Sequence, residues 1–331
     1  MSVAYNDKKH PYLDLGQNFK INFDYVSDLD EKHLNKAKEE LRETPEIRDQ
    51  GLKELRELIN SEKNLVYPTD DFFLYPYLRP CKFYAKSAFK KLQKDLKFKA
   101  KHSEIFDNIT VESVRNVFED GIFKYTPLCD KDGQRILFVQ CGKNWNLEKN
   151  SKYDLFRGVE IFFQAIAAEP MTQINGVTVL LDMEGLSMNH VMQISPSYAA
   201  TILKWAQECL PVRLKQAYVV NNSKIFSVFW ALFTPFISSK LKNRVHFVNQ
   251  DFEALAGFMG KETLIKEYGG TLPVEYATGK GLVDFMKLHE KLFEIKNISG
   301  YYDEKDNIDE KRKKMNEVAE EVLNFVKTSS I

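Results

Sequence analysis

Asp182 and Glu184 are the first residues in this chain whose types and spacing suggest chemistry: an acidic pair closing the apolar run GVTVLLDM. Two carboxylates so spaced at a strand end are the layout in which one attacks a phosphoryl centre and the other serves as its acid. That motif opens its domain and carries Thr or Val two residues past the second carboxylate. Here a strand and a helix come before it, and Leu186 stands at that place. The pair therefore reads as structural, fixing a loop. Gly257 and Gly260, followed by Lys261, have some look of a phosphate loop. A Walker A loop needs four residues between its glycines and Ser or Thr after its Lys, and here two intervene and Glu262 follows. Cys81, Cys129, Cys141 and Cys209 show no CxxC spacing, the six histidines form no HExxH, and no GxSxG occurs. The expectation is a chain that is not an enzyme, with reduced thiols, no metal and no cofactor.

The basic positions are more telling. Arg213 and Lys215 alternate on an expected strand and so share a face, while Lys240 and Arg244 are one turn apart if the chain there is helical. Each pair lies beside an apolar run. Taken singly these are ordinary solvated charges, and the 47 Lys and Arg equal the 47 Asp and Glu, so no global field exists to attract nucleic acid.

The second basic pair closes the stretch of residues 225–244, IFSVFWALFTPFISSKLKNR. Its apolar part is shorter than the roughly 20 residues a membrane span needs. Wound as one helix it carries Phe226, Phe229, Phe233 and Phe236 in one stripe and Ile225, Val228 and Leu232 in a second, with Trp230 widening the apolar surface. Two readings stay open: a buried core helix, or a lid with one face on a hydrophobic ligand and the other able to meet a membrane, its lysines touching anionic headgroups.

The elements that must position these residues follow from period and caps. Residues 1–27 lack a clear period and read as a loose lead-in, without the layout of a signal peptide. Helices are expected over 30–42, from Thr44-Pro45 with Leu52, Leu55 and Ile59 inward, from Thr69-Asp70-Asp71, and over 84–101 with Ala88, Leu92 and Phe98 inward. From Arg135 strands alternate with helices: ILFVQC, a helix over 153–169, GVTVLLDM, a helix over 196–208, LKQAYVVN, the apolar helix, VHFVN, and a short helix from Phe252. Such alternation argues for an α/β fold with a mainly parallel sheet. A charged helix over 306–327, with Met315, Val318, Val322 and Phe325 on one side, ends the chain.

The order EGLSMNHVMQISPS, ECLPVRLKQAYVVNNSKIF, FTPFISSKLKNRVHF and KEYGGTLP resembles the CRAL-TRIO lipid-transfer family, and within it the branch of alpha-tocopherol transfer protein and cellular retinaldehyde-binding protein. RETPEIRDQGLKELRELI and PTDDFFLYPYLRPCKF resemble that branch's helical amino-terminal module. The resemblance implies three parts: a helical module over 28–105, a lipid-binding domain over 110–275 whose sheet floors a hydrophobic cavity closed by a lid helix, and a helical carboxyl-terminal extension over 276–331.

Carried over position by position, the resemblance implies a cavity lined by Phe156, Val159, Phe163, Val177, Val179, Leu181, Leu186, Ile194, Ile202, Trp205, Leu210, Val212, Leu214, Phe229 and Leu232. Phosphoinositide-contacting residues fall on Arg213, Lys215, Lys240 and Arg244. Two serines of the tocopherol cavity fall on Val159 and Phe163, and its tryptophan on Leu186, so a ligand hydroxyl loses those partners. The family's Asn-x-Pro before the lid reads Asn221-Asn222-Ser223, and its LRAR reads Leu78-Arg79-Pro80-Cys81 with Pro76 just before, which shortens the helix. The expected function is binding a tocopherol-, retinoid-, carotenoid- or other isoprenoid- or lipid-like molecule and transferring it between membranes, in the cytoplasm with peripheral membrane association. The alternative is a lipid-gated adaptor or phosphoinositide-binding regulatory protein. The expected partners are that small molecule and a phosphoinositide-bearing membrane, not nucleic acid.

Overall fold

The computed structural model describes residues 1–328 apart from Lys8, Ser27, Asp28 and Glu304, so the module boundary expected at residue 28 and the last three residues of the extension lie outside the described residues. The first segment corrects the sequence reading. β1 (Ser2–Tyr5), β2 (Pro11–Gly16) and β3 (Phe19–Ile21) form an antiparallel sheet with β2 central. Gln17 and Asn18, both in the left-handed region at φ 52° and 66°, make the tight turn between β2 and β3. Strands this short carry too few alternations to be read by period. Leu13 and Ile21, paired across the strands and fully buried, belong to the main core instead.

The helical module begins with α1 (Glu31–Leu41), whose first turn is capped by the Asp30 carboxylate accepting from His33 N–H at 2.8 Å. Thr44 caps α2 (Pro45–Ser61), with Pro45 in its first turn. After β4 (Leu65–Val66) come α3 (Asp71–Leu78), a short helix that holds Pro76 and ends before Pro80, and α4 (Ala85–Lys101). Leu52, Leu55, Ile59, Ala88 and Leu92 are buried in one cluster between these helices. Phe98 turns the other way, into the main core with Phe106 of α5 (Ser103–Phe106) and Val117 and Phe118 of α6 (Arg115–Glu119).

The sheet that follows has order β5-β6-β7-β8-β9: β5 (Phe123–Tyr125), β6 (Arg135–Gln140), β7 (Val177–Asp182), β8 (Leu214–Val220) and β9 (Val245–Asn249). β5 runs antiparallel to β6, and the other four are parallel. The parallel strands neighbour one another in chain order, and right-handed crossovers then carry every connecting helix to the same face. On that face lie α7 (Lys152–Ala167), α8 (Pro170–Asn175), α9 (Met188–Gln193), α10 (Pro196–Lys204) and α11 (Lys224–Phe233), followed by α12 (Ser239–Lys242). The opposite face, with Ile136, Phe138, Leu180 and Val220, is sealed by Leu255 and Met259 of α13 (Phe252–Met259) and by Leu264 and Tyr268.

The carboxyl-terminal part packs back over the rest. α14 (Gly279–Lys287) lies on β1 and β2, and α15 (Glu290–Ile298) on α7. β10 (Gly300–Tyr301) pairs with β4, and α16 (Ile308–Thr328) lays Met315, Val318 and Val322 on the core.

Candidate functional site

Parity along the strands decides which residues meet the open face. Leu137 and Val139 of β6 and Val179 and Leu181 of β7 point to it, and their even-numbered neighbours point to the sealed face. In β8 the register slips between Val177↔Leu214 and Thr178↔Gln216, so the parity changes there, and Leu214 shares a face with Ala217 and Val219. Above these strands α7, α10 and α11 stand off the sheet instead of packing down on it. The space left between is a cavity of about 290 Å³.

α7 faces the cavity with Leu155, Phe156, Val159 and Phe163, spaced at helical period. α10 adds Tyr198 and Ile202, and the π-helical turn Trp205–Cys209 that ends it brings Trp205 and Ala206 inward. Phe163 and Phe156 meet Trp205 with ring centroids at 5.8 and 5.0 Å. Apart from the indoles, the wall's polar side chains are Cys141, Lys152 and Tyr198. Burial first, then the nearby Asp182 charge, pushes the Cys141 thiol up to about 12, so it is a protonated, weakly polar wall group at neutral pH.

The lid differs from the single helix expected over 225–244. α11 ends at Phe233, a 3-10 turn Thr234–Phe236 follows, and α12 is a separate single turn capped by Ser238. Pro235 is the physical reason, because it lacks an N–H and its ring crowds the carbonyl four residues back. Phe226, Phe229, Trp230 and Phe233 face the cavity, while Phe236 turns outward at 38% exposed. Val228 is 48% exposed and Ser227 and Ala231 are exposed too, so α11 is not a core helix buried all round. Trp230 and Phe226 also meet Phe247 of the edge strand β9 edge-on, and that ring is half exposed.

Of the fifteen expected cavity positions, eleven line this space: Phe156, Val159, Phe163, Val179, Leu181, Ile194, Ile202, Trp205, Leu210, Leu214 and Phe229. Four do not. Val177, at the start of β7, is fully covered by the main core, and Val212 packs against that core before β8 begins. Leu186 lies past β7 in a cluster with Met183, Val219 and Phe226, under the lid but off the cavity wall. Leu232 stands on the flank of α11 beside the exposed Val228, away from the Phe226–Phe229–Phe233 stripe. The lining residues that sequence reasoning passed over, such as Leu137, Val139 and Phe226, carry the same strand and helix periods and were readable from them.

The four basic positions do not form one free face. Arg213 and Lys215 both reach Glu40 of α1, at 2.5 and 3.1 Å, and Arg213 also donates to the Ile174 carbonyl. Burial alone would raise the Glu40 carboxyl, but the two cations outweigh it and hold it below the usual range. Arg244 lies beyond α12, so it is not a helical turn from Lys240, and it donates to the Leu214 carbonyl. Lys240 is exposed, as are Lys224 and Lys242.

Asp182 is the loop-fixing residue its sequence context suggests. Fully buried, it accepts from Gln140 Nε2 and Asn221 Nδ2 at 2.9 Å each, from Tyr268 Oη at 2.6 Å and from the Glu184 N–H at 2.9 Å. Asn221, in the left-handed region at φ 52°, is thereby pinned where the chain turns into the lid. Among the described residues no group of three or more His, Cys, Asp or Glu is placed to hold a metal ion, and no helix is long and apolar enough to cross a membrane.

A sheet with crossover helices on one face, standing off over an apolar cavity, agrees with what comparison finds: residues 119–270 match the family model of the CRAL/TRIO domain. The chain carries a CRAL/TRIO domain. Its curated relatives include the human alpha-tocopherol transfer protein-like, 29% identical over 248 residues that cover 75% of this chain and 72% of that one. Mouse clavesin-1 is 26% identical over 72% of this chain and 68% of its own length, and human clavesin-2 is 24% identical over 74% and 76%. Among solved structures, that of Sfh5 aligns at a TM-score of 0.40 with 16% identity, covering 80% of this chain and 99% of that one. The CRAL/TRIO domain spans β5 to the turn at Lys266–Tyr268, thus the whole cavity floor and the lid, and its family implies binding or transfer of a lipophilic ligand.

Proposed function

We propose that this protein shields one hydrophobic, isoprenoid- or lipid-like molecule and exchanges it at phosphoinositide-bearing membranes, without making or breaking a bond. The observation that carries this is the apolar cavity under a lid that exposes Val228 and Phe236 on its outer side, next to the half-exposed Phe247 of the edge strand β9. Each buried CH2 contributes about 0.8 kcal/mol, so a cargo of a dozen or so such groups gains ~10 kcal/mol before ordering costs. Release needs the lid to leave the cavity. A membrane drives this only by binding the open state better, which burial of the lid's Phe face in lipid would supply.

Docking centres on the exposed Lys240 and Lys242 of α12, with the exposed Lys224 at the start of α11 as a further cation on the lid. Arg213 and Lys215 join them when a lipid phosphate takes the place of Glu40. The protein then acts as a peripheral, cytoplasmic carrier. Organic extraction of the purified protein followed by mass spectrometry tests the first half of the reading: one apolar species in near-stoichiometric amount is expected. If extraction, and soaking with lipid-like probes afterwards, leave the cavity empty, the reading fails.

A further inference from the structure

Behind the cavity wall lies a second, smaller chamber of about 80 Å³. Phe163 and Leu210 line both spaces and form the partition between them. The two differ in chemistry. The main cavity takes Val159 and Phe163 from α7, while the chamber takes Glu160 and Gln164, each one residue further on. A residue step turns an α-helix by about 100°, so α7 shows an apolar pair to one space and a polar pair to its neighbour. The serines expected at Val159 and Phe163 are absent, yet polar atoms stand beside them.

The state of those atoms is specific. Gln164 Nε2 donates to Glu160 Oε1 at 2.8 Å, which fixes the amide's orientation. Its Oε1 is buried without a hydrogen-bond partner, an acceptor with an unmet demand. Glu160 is itself buried, held by Lys296 at 3.8 Å, and Lys296 also pairs with the buried Asp95. Trp205, on the cavity wall, interacts with the same Glu160 carboxyl, so the network touches both spaces.

We infer that this chamber is the subsite for the polar end of the cargo, and that the cargo class is a long apolar molecule ending in a hydroxyl, which reaches past Phe163 and donates to Gln164 Oε1. The inference rests on the lipid-carrier reading and adds the chemistry that the apolar main cavity lacks. A terminal carboxylate fits poorly, because it would enter beside the Glu160 carboxylate, whose cation Lys296 is already shared with Asp95, and it has no proton to donate. A methyl ether has no proton either.

Hexadecanol, its methyl ether and palmitate, each competing with a pyrene-labelled alkyl probe for the full-length protein, test this. Hexadecanol is expected to displace the probe at about tenfold lower concentration than the ether, the factor that 1.4 kcal/mol gives, with palmitate no better than the ether. In Gln164→Leu the alcohol and the ether should become equal, while unchanged ether binding reports an intact fold. Leu181→Ala, on the cavity floor, should weaken all three alike and keep the alcohol's advantage. Equal binding of alcohol and ether by the wild type, or an advantage that survives Gln164→Leu, overturns the subsite and leaves the carrier reading standing. Uptake of none of the three overturns both.

Discussion

At the scale of single residues the molecule places its unusual polar groups in enclosed settings, and His289 is the plainest case. It is 4% exposed, ringed by Phe23, Phe285 and Phe325, with Nδ1 on the Tyr25 hydroxyl at 3.3 Å and Nε2 without a partner. Burial pushes its pKa from 6.5 down to about 3. The unfolded chain therefore takes up a proton near 6.5 that the folded chain refuses until about 3. In that window the unfolded state binds more protons, so stability falls as pH falls, by up to about 1.4 kcal/mol per unit. Above 6.5 the residue contributes no pH dependence. Urea titrations at pH 7, 6, 5 and 4 should show a steeper acid loss in the wild type than in His289→Leu, whatever the variant's baseline. Parallel slopes would mean that His289 is open to protonation in the folded state.

At the scale of elements, the lid separates two jobs that one apolar run could have merged. Phe229 faces the cavity, and Lys240 faces away from it. Phe229→Ala removes a ring from the cargo's cover and should speed ligand release in solution severalfold while changing vesicle binding little. Lys240→Ala should do the opposite, weakening binding to phosphoinositide vesicles by about fivefold, since a cation near an anionic surface is worth ~1 kcal/mol. Glu40→Gln is expected to raise vesicle affinity by a similar factor, because it releases Arg213 and Lys215 from their present partner. If vesicle cosedimentation finds Glu40→Gln unchanged, those two cations take no part in docking. Much of this layer was legible beforehand: the cap at Thr44, the alternation of β6 to β9 and the lid's stripe all follow from local spacing. What was not legible came from non-local causes. The sheet at residues 2–21 exists because α14 and the core cover it. The parity change in β8 comes from a register slip against β7, and Arg244 left the lid helix because Pro235 broke it. Leu186 and Val212 read as lining because the resemblance carries cavity positions onto them, and only the packing around Phe226 and the main core moves them off the wall.

At the scale of the whole molecule, the helical module, the CRAL/TRIO domain and the carboxyl-terminal helices are joined by buried polar contacts as well as apolar ones. Arg79 of the α3 C-terminus makes a two-pronged pair with Glu43 at 2.9 and 2.8 Å and also donates to Gln173 of α8. Both charged side chains are nearly enclosed, so removing one leaves the other buried and uncompensated. Glu43→Ala is expected to lower global stability by about 3–5 kcal/mol, measured by urea unfolding, whereas replacing both partners with apolar residues should cost much less. A loss within about 0.5 kcal/mol for Glu43→Ala, the range of ordinary surface changes, would show the joint to be solvated in solution. On the far side, Lys99 of α4 donates to the carbonyls of Lys296, Asn297 and Ser299 at the end of α15, with burial lowering its pKa to about 8. The module is thus tied to the domain through Gln173 and to the extension through Lys99, and the extension packs on the domain where α15 meets α7.

The central claim, that this assembly carries a hydrophobic molecule from one membrane to another, is tested most directly by transfer kinetics. Donor vesicles loaded with a pyrene-labelled alkyl probe and acceptor vesicles containing phosphoinositide are mixed with and without protein, across a salt series. Transfer should be faster with protein, saturate with vesicle concentration, and lose its phosphoinositide advantage as salt rises, because exposed charges are screened beyond ~10 Å at 0.1 M. A transfer rate no greater than that of vesicles alone, from protein shown to be folded and able to bind the probe, would contradict the account.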